Sequence, residues 1–367
     1  MTSTLTLPLP DGRRLTAEIQ LGRLHLAIDG VPLLSAICDP VEGGVALVPE
    51  GGRRGGRESG RDRPAPLSAE AAWAAACCLF SSNLGGDPAR RLLVWRGIEP
   101  DPASLRSGLL LADGAGGALC RRDAFWQLPG PWLRSPGTGG FPVVARGDGS
   151  GLHRPPKPVG ELYRRFDPAL GLWISLRSLD IESDLERFNR WQNTPRVLEF
   201  WQEGGDLLKH RAYLEGLAED PHVQTLIGCF DDEPFAYFEA YWAKEDRIAP
   251  FCAPGDHDRG IHMLVGENHH RGSHKVRSWL SALIHWLFLS DARTGRVVSE
   301  PRADNARMIG HMQSLGFLRE RDFDFPHKRA ALMLLDRRDF FDRCPGLSEP
   351  SAGPTTHDKF LHTKDSP

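Results

Sequence analysis

The segment from 260 to 305 constrains the fold most, because it predicts a strand, a turn, a helix and a second strand in immediate succession. It begins with the apolar run GIHMLV, passes through the basic loop HRGSHK and ends near the strand RVVS. Between them, apolar residues recur at the spacing of one helix face: Val276, Trp279, Leu280, Leu283, Ile284, Leu287 and Phe288. A strand that turns into a helix start aims unpaired backbone N–H groups at one point. We therefore predict an anion site at this turn.

The predicted first helical turn covers Arg271 to Val276, with Ser273 and His274 inside it. Gly272 would let a ligand approach the backbone closely, and Arg271 and Lys275 add positive charge. A basic helix start without a ligand would have the same pattern. His269 and His270 could form a metal pair, but adjacent loop residues rarely chelate together and no third ligand is evident. We predict no metal.

The rest of the composition excludes several classes of protein. The net charge is −3 with both signs interspersed, which argues against a nucleic-acid binder or a polybasic membrane anchor. The apolar helix near Trp279 to Leu289 is interrupted by Ser281 and His285, and the N-terminus does not read as a signal peptide. Seven scattered cysteines without a CxxC motif indicate buried thiols. We expect a cytoplasmic protein.

The pattern along the chain predicts two domains and a tail. Residues 1–155 are strand-rich, with a mobile Gly/Arg-rich loop at 51–66, a helix near Ser68 to Ser81 and a Pro/Gly-rich linker from Leu128 to Val159. Residues 156–343 alternate strands and helices, and 344–367 read as a disordered tail. The predicted elements of the second domain are strands at Leu172–Leu179, Val223–Phe230, Phe235–Trp242, Arg296–Ser299 and Ala330–Leu335, and helices at Asp184–Gln192, Leu207–Glu219 and Asn305–Leu315.

Six strings, taken together in order and spacing, carry a family resemblance: FNRWQNTPRVLEFWQ, YWAKEDRIAPF, DHDRGIHMLVGE, HRGSHKVRSWL, EPRADN and DFDFPHKRAALMLL. They resemble the siderophore-biosynthesis acyltransferases of the GNAT acetyltransferase superfamily, most closely the aerobactin-type N6-hydroxylysine acetyltransferases. The resemblance covers about Glu161 to Phe341. The loop departs from the superfamily pattern Gln/Arg-x-x-Gly-x-Gly/Ala, since His269 and His274 hold its first and last positions and only Gly272 keeps its register.

The resemblance implies an α+β GNAT fold, a mixed and mostly antiparallel sheet flanked by helices. One interpretation of the strand-rich N-terminal domain is a degenerate copy of that fold. The implied reaction moves an acetyl group from acetyl-CoA to the hydroxylamine nitrogen of N6-hydroxylysine and forms a hydroxamate. N5-hydroxyornithine with acetyl- or a longer acyl-CoA, a generic small-molecule amine, and a coenzyme A-binding module without turnover remain alternatives. Expected partners are an N-hydroxylated amino acid or diamine, a downstream siderophore synthetase and a second copy of the chain.

The resemblance also assigns the reacting groups. His262 faces opposite to Ile261 and Met263 on its strand, and it matches the family's expected base. Asp304 would orient it, or would instead cap the following helix. The implied coenzyme A contacts are Met263, Leu264, Val265, Arg271, Gly272, Ser273, His274, Lys275, Val276, Asn305 and Arg307.

Three further groups are candidate acceptor contacts. Trp242, Glu245 and Asp246 could hold an ammonium group by charge and cation–π contact, or could simply end a strand. Asn189, Arg190 and Trp191 resemble family residues on the acceptor side. Lys328 could pair with the carboxylate of an amino acid acceptor, or could belong to a charged hairpin.

Overall fold

The computed structural model describes residues 2–50, 65–82, 84, 90–114 and 117–343. Most of the predicted mobile loop, all of the predicted tail and Cys344 lie outside these residues. Ala65 and Pro66, which the sequence assigned to the loop, begin a short strand instead. Two eight-stranded sheets organise the chain, and each belongs to one of the predicted halves.

The first sheet has the strand order β1-β2-β3-β4-β5-β7-β10-β9. Its strands are β1 (Ser3–Pro8), β2 (Arg14–Gln20), β3 (Arg23–Ile28), β4 (Val31–Val41), β5 (Gly44–Pro49), β7 (Leu92–Trp95), β9 (Leu111–Ala112) and β10 (Ala118–Arg121). A separate pair joins β6 (Ala65–Leu67) to β8 (Ile98–Pro100). The helices are α1 (Ala69–Phe80), α2 (Pro102–Ser107) and α3 (Arg122–Phe125).

The second sheet has the order β11-β12-β13-β14-β15-β16-β18-β17. Its strands are β11 (Glu161–Asp167), β12 (Leu172–Ser178), β13 (Val223–Phe230), β14 (Glu233–Trp242), β15 (Arg259–Val265), β16 (Arg296–Ser299), β17 (Leu318–Phe325) and β18 (Lys328–Asp336). Its helices are α4 (Ile181–Gln192), α5 (Pro195–Trp201), α6 (Leu207–Glu219), α7 (Ala249–Cys252), α8 (Ser273–Ser290), α9 (Ala306–Ser314) and α10 (Arg337–Arg343).

The two sheets share one topology. In each, five antiparallel strands are followed by a sixth strand that pairs in parallel with the fifth, and then by two more antiparallel strands. The parallel pairs are β5 with β7 and β15 with β16, and α1 and α8 are the crossover helices between them. The α+β prediction is therefore confirmed, and the repeated strand order supports the interpretation of the N-terminal half as a copy of the C-terminal fold.

Helix α8 joins the halves, because it is apolar on nearly all sides. All residues from Ser278 to Leu289 are buried. Trp279 stacks on Phe238 of β14, with 5.3 Å between ring centroids. On another side, His285 contacts the Tyr163 hydroxyl at 2.8 Å and the Trp126 carbonyl oxygen at 2.6 Å. Buried side chains of both halves consequently form one continuous core.

The Pro/Gly-rich segment between the sheets contains no helix or long strand from 127 to 160, yet it is tied to the second half. Arg154 forms a buried ion pair with Glu245 at 2.6 Å. The Thr138 hydroxyl donates to Asp291 at 3.1 Å, and Arg293 donates to the Phe141 carbonyl at 2.6 Å. These bonds hold the connecting segment against the second half.

Helix α5 and strand β17 are not among the elements predicted from the sequence. Helix α5 is only seven residues long and begins with a proline, so it lacks a periodic signal. Strand β17 (LRERDFDF) lies at the edge of its sheet and exposes most of its charged residues, which makes it resemble a loop in sequence.

The cysteine prediction is confirmed for the described residues, where six cysteines are free and all but Cys38 are buried. Burial raises the pKa of the Cys77 and Cys120 thiols to about 12, which keeps them protonated. In the described part of the chain, no helix is both long enough and apolar enough to cross a membrane.

Candidate active site

The site begins where two parallel strands separate. Strands β15 and β16 pair only through Arg259 with Val297 and Gly260 with Val298, although β15 continues to Val265. In the first sheet, β5 and β7 pair over all four residues of β7. Among the described residues, the second sheet alone therefore opens a cleft at its parallel pair.

The open edge of β15 offers backbone groups to a ligand. The carbonyl oxygens of Met263 and Val265 point away from β14, because they accept hydrogen bonds from the Trp201 indole at 3.3 Å and from Arg196 at 2.7 Å. The N–H groups of the same residues point to the same side, since backbone polarity alternates along a strand. Helix α5 thus covers the carbonyl oxygens of Met263 and Val265, and the N–H groups of these two residues remain directed into the cleft.

The turn at which the sequence predicts an anion site has the backbone shape that the prediction requires. Helix α8 begins at Ser273, and Gly272 caps it with a φ of 127°, a conformation that favours glycine. The side chains of Arg271, Ser273 and His274 are exposed at this helix start, and Val276 is buried. Sequence reasoning missed Arg196, whose pKa is lowered by burial and by the nearby Arg271 guanidinium. Two close guanidinium groups beside a helix N-terminus favour a phosphate-bearing ligand.

His269 and His270 form a hydrogen-bonded cluster with a third residue that the sequence did not indicate. The Nε2 atoms of both histidines lie 2.8 and 3.1 Å from the Glu233 carboxylate oxygens. In the described part of the chain, these three residues are the group with metal-ligand spacing. Lys275 donates to Nδ1 of His270 at 2.9 Å, so the ring proton of a neutral His270 lies on Nε2, toward Glu233. Hydrogen bonds by themselves account for the positions of these side chains, and they hold Lys275 against the loop.

His262 lies at the point where the strands separate, held between two carboxylates. Its Nδ1 is 2.8 Å from Oε2 of Glu239, its cross-strand neighbour, and its Nε2 is 2.6 Å from Oε1 of Glu300. The His262 side chain is 20% exposed, whereas those of Glu239 and Glu300 are 6% and 0% exposed. The ring is therefore the part of this centre that a substrate can reach.

Three tyrosines, two of them fully buried, complete the centre and satisfy the outer carboxylate oxygens. Tyr213 and Tyr237 donate to Oε1 of Glu239 at 2.6 and 2.8 Å, and Tyr241 donates to Oε2 of Glu300 at 2.7 Å. These bonds fix both carboxylates in orientations that face the imidazole. The glutamates and tyrosines escaped the sequence analysis, although a glutamate inside the apolar strand FAYFEAYW is a usable signal of a buried polar site.

The electrostatics of the centre favour a positively charged imidazole. Burial lowers the pKa of His262, but Glu300 and Glu239 outweigh it and raise that pKa to about 10. Burial raises the pKa of Glu300, yet the His262 charge and other neighbours bring it down to about 2. At neutral pH the centre is accordingly an imidazolium between two carboxylates.

The predicted partnership of Asp304 with His262 is wrong. Asp304 is exposed and forms an ion pair with Arg302 at 2.6 Å, while Glu239 and Glu300 occupy both nitrogens of His262. The alternative role as a helix cap is also wrong, because the Asn305 side chain accepts the hydrogen bond from the Met308 N–H. Asp304 lies five residues past the end of β16, whereas Glu300 follows that strand directly.

The predicted ammonium site at the end of β14 is also corrected. Trp242 is buried between two guanidinium groups, with Arg154 and Arg259 at 4.3 and 4.1 Å from its ring centroid. Successive strand residues face opposite sides, so Trp242 points away from the face where Tyr241 meets His262. Glu245 is 5% exposed and neutralised by Arg154. Asp246 caps the Ile248 N–H at 2.9 Å.

Helix α4 supports the loop instead of facing an acceptor. The Asn189 amide donates to the Gly205 carbonyl at 2.9 Å. Arg190 and the buried Trp191 both donate to Glu267, at 2.7 and 2.8 Å. Because Glu267 lies just beyond β15, these bonds position the start of the loop that leads to α8. Their predicted direct contact with the acceptor does not agree with this geometry.

The remaining predicted residues differ in their surroundings. Lys328 donates to the Glu300 carbonyl oxygen at 2.7 Å, which places its ammonium group beside the His262 centre. Leu264 is buried in the core beneath α4 and α6. Asn305 caps α9, and Arg307 is exposed on the first turn of that helix.

Comparisons with known proteins agree with this architecture. A family model described as an acetyltransferase (GNAT) domain matches residues 180–325. A Schizosaccharomyces pombe protein, provisionally named a lysine N-acyltransferase, is 45% identical over 68% of this chain and 75% of its own length. The N(6)-hydroxylysine O-acetyltransferase of Escherichia coli is 46% identical over 61% of this chain and 71% of its own.

A third relative names a different acceptor. The N(5)-hydroxyornithine:cis-anhydromevalonyl coenzyme A-N(5)-transacylase of Beauveria bassiana is 45% identical over 54% of this chain and 44% of its own length. The first two relatives match over more than two thirds of their lengths at well above 30% identity. Together with the cleft at the parallel strand pair, they establish that this chain belongs to the GNAT acetyltransferase family as an acyl-CoA-dependent acyltransferase.

Proposed function

We propose that this chain transfers an acetyl group from acetyl-CoA to the hydroxylamine nitrogen of N6-hydroxylysine, giving a hydroxamate for siderophore synthesis. The observation that carries the reaction is the partly exposed His262 ring at the opening of the strand pair. The acceptor is proposed from the 46% identity to the Escherichia coli hydroxylysine enzyme.

The cleft suits an acyl-CoA as donor substrate. Backbone N–H groups on the open edge of β15 would bind polar groups of the donor, and the α8 start with Arg271 and Arg196 would bind its phosphates. Holding the thioester there converts the transfer into a reaction between two aligned substrates. The α5 contacts with the β15 carbonyls keep that edge ordered.

The charge state of His262 changes the role expected from the sequence. The pKa of His262, about 10, lies about three units above pH 7, so deprotonating the ring at that pH costs about 4 kcal/mol. A neutral imidazole that could act as a base would therefore be scarce. A hydroxylamine is mostly unprotonated at that pH and can attack without prior deprotonation. We therefore assign the imidazolium to stabilising the developing negative charge and to protonating the leaving thiolate.

The protons balance in this scheme. The hydroxylamine nitrogen attacks the thioester carbonyl carbon, the carbon–sulfur bond breaks, the nitrogen loses one proton and the coenzyme A sulfur gains one. The proton released from nitrogen restores the imidazolium after it has protonated the thiolate. Glu239 keeps its hydrogen bond to Nδ1 throughout, while the Nε2–H leaves Glu300 to protonate the thiolate, and both carboxylates retain their tyrosine hydrogen bonds.

Charges beside the centre match an amino acid acceptor. Lys328 lies next to Glu300, and the exposed Arg247 is close enough to act on the pKa of Lys328. Glu203 is half-exposed, and both Glu203 and Arg247 lie close enough to Tyr213 to shift the pKa of its hydroxyl. The cations would bind the carboxylate of the acceptor, and Glu203 its α-ammonium group.

The test uses purified protein with acetyl-CoA and four parallel acceptors: N6-hydroxylysine, N5-hydroxyornithine, lysine and N-hydroxycadaverine. We expect free-thiol release with hydroxylysine at least tenfold faster than with lysine, and a product that forms the coloured ferric complex of a hydroxamate. Equal rates with lysine would refute the hydroxamate proposal. A thiol signal without the ferric colour would indicate acyl transfer to oxygen.

A matched substrate pair tests the acceptor contact. N-hydroxycadaverine is hydroxylysine without its carboxylate, so Lys328→Met should raise the KM for hydroxylysine about tenfold and leave the KM for N-hydroxycadaverine unchanged. Lys244→Met, at an exposed lysine paired with Asp256, is the control and should change neither. Equal effects on both acceptors would remove Lys328 from carboxylate binding.

A second candidate keeps the reaction and changes the acceptor to N5-hydroxyornithine. The 45% identity to the Beauveria bassiana transacylase favours it. The two acceptors differ by one methylene, which a binding site discriminates by roughly 10–200-fold. The same parallel assay decides between them by the ratio of kcat/KM values.

A further inference from the structure

A cavity of about 360 Å³ lies where the N-terminal sheet, the connecting segment and the catalytic half meet. Residues of β1, of the turn that follows it and of α1 form one side, among them Leu7, Leu9 and Trp73. The connecting segment adds Trp132, and β11 and β12 close the opposite side. The cavity is thus formed by both halves, and its size is within the range of small-molecule sites.

Its walls are mainly apolar and aromatic. Trp126 and Trp132 are stacked with 5.0 Å between ring centroids, and Trp173 meets Phe166 edge-on at 5.5 Å. The buried indole N–H groups of Trp73 and Trp132 have no hydrogen-bond acceptor among the described residues. Such walls favour a ligand with an apolar body that also carries hydrogen-bond acceptors.

The decisive feature is the charge of Arg165, which lines the cavity and is 2% exposed. Its guanidinium donates to the Tyr163 hydroxyl at 3.2 Å and to the Ser281 hydroxyl at 3.2 Å, both neutral groups. Within the described ranges it forms no ion pair with a carboxylate. Asp167, two residues along β11, instead caps the N–H groups of Ala169 and Leu170.

The other cations at the cavity are already neutralised. Arg13 pairs with Asp11 and Glu70, both at 2.7 Å, and Arg134 lies 3.6 Å from Glu161. Burying a cation without a counterion is costly, and a carboxylate within hydrogen-bond reach offsets that cost. Arg165 is therefore the group to which an anionic ligand would bind.

We propose that this cavity binds a small monocarboxylate with an apolar body, with its carboxylate on Arg165 and its hydrocarbon part among the tryptophans. The site is separate from the acyl-transfer cleft. Arg165 contacts α8 at Ser278 and Ser281, whereas His262 faces the side of the sheet covered by α5 and α6. The N-terminal half would then contribute a ligand site, and not only support for the fold.

The test is calorimetric titration of the full chain with decanoate in saturating coenzyme A, with decanol as the neutral probe of equal length. We expect saturable one-to-one binding of decanoate that is at least tenfold tighter than that of decanol. Binding that is seen only when coenzyme A is left out would mean that decanoate occupies the acyl cleft, and would overturn the proposal. Absence of saturable binding would also overturn it.

Two variants separate charge from volume. Arg165→Met should weaken decanoate binding at least tenfold and leave decanol binding within twofold, with Arg319→Met, at an exposed arginine paired with Asp322, as the unchanged control. Cys77→Met extends a side chain into the cavity and should weaken both probes. If Arg165→Met does not fold, Cys77→Met still decides, because unchanged decanoate binding there would refute binding in this cavity.

Discussion

Replacing Glu300 by glutamine tests whether His262 acts as an imidazolium. The substitution removes one of the two carboxylates that raise the pKa of His262 to about 10, while the amide oxygen can still accept from Tyr241. The pKa of His262 in the variant should fall toward its ordinary value of 6.5. A group that acts while protonated is active below its pKa, and its contribution is lost as the pH rises through that pKa.

The size of the effect follows from the titration. If the pKa falls by about two units, the variant at pH 9 has lost about nine tenths of its imidazolium, while the wild type retains most of it. We therefore expect Glu300→Gln to be about tenfold slower than wild type at pH 9 and within a few-fold at pH 6.5. The midpoint of the alkaline limb of kcat should move down with the pKa.

The assay is free-thiol release measured in stopped aliquots from pH 6 to pH 10, with saturating acetyl-CoA and hydroxylysine. Asp304→Asn is the matched control, since Asp304 is exposed and contacts Arg302 and not His262. Its profile should overlay that of the wild type. A Glu300→Gln variant that is faster than wild type at pH 7 would refute the argument, because a neutral base becomes more abundant when the pKa falls.

Three further predictions follow from the geometry. His262→Gln leaves two buried carboxylates without their cation and should lower the unfolding free energy by roughly 3–5 kcal/mol at pH 6. Because the raised pKa of His262 stabilises the fold fully below pH 6.5 and this stabilisation is lost as the pH rises to about 10, the difference in melting temperature between variant and wild type should shrink over that range. A difference that stays constant with pH would contradict this prediction. Gly272→Ala forces a Cβ to 2.8 Å from the His274 ring at a φ of 127° and should raise the KM for acetyl-CoA about tenfold, whereas Gly310→Ala, in open space, should not. Glu245→Gln leaves Arg154 buried without its counterion and should lower the unfolding free energy by about 3 kcal/mol in chemical denaturation without changing the KM for hydroxylysine; an altered KM would restore the acceptor role that its burial argues against.

The sequence predicted the parts of the fold and site whose signals are local. The apolar spacing after His274 predicted α8, and the alternation in GIHML placed His262 on the opposite side from Ile261 and Met263. The Gly272 turn was readable because a positive φ has its own residue preference. Each of these inferences depends on residues a few positions apart.

The errors share one cause, which is that nearness along the chain was taken for nearness in space. The sequence prediction pairs Asp304 with His262 because Asp304 follows β16. In the structure, Glu300 forms the hydrogen bond to His262, and Asp304 forms an ion pair with Arg302. Trp242 was grouped with an acceptor site although its side chain lies on the other face of the sheet. The face and reach of a side chain depend on strand register, which a single sequence does not reveal.

By itself, the sequence determined the acyltransferase family, the strand–turn–helix at which we propose an anion site, and the histidine on its strand. Only the tertiary structure decided the chemistry of that histidine. Glu239 comes from the neighbouring strand and Glu300 from the end of β16, and their joint charge holds His262 protonated. A pKa is set by the charges and burial around a group in space, so it becomes defined only once distant segments have packed together.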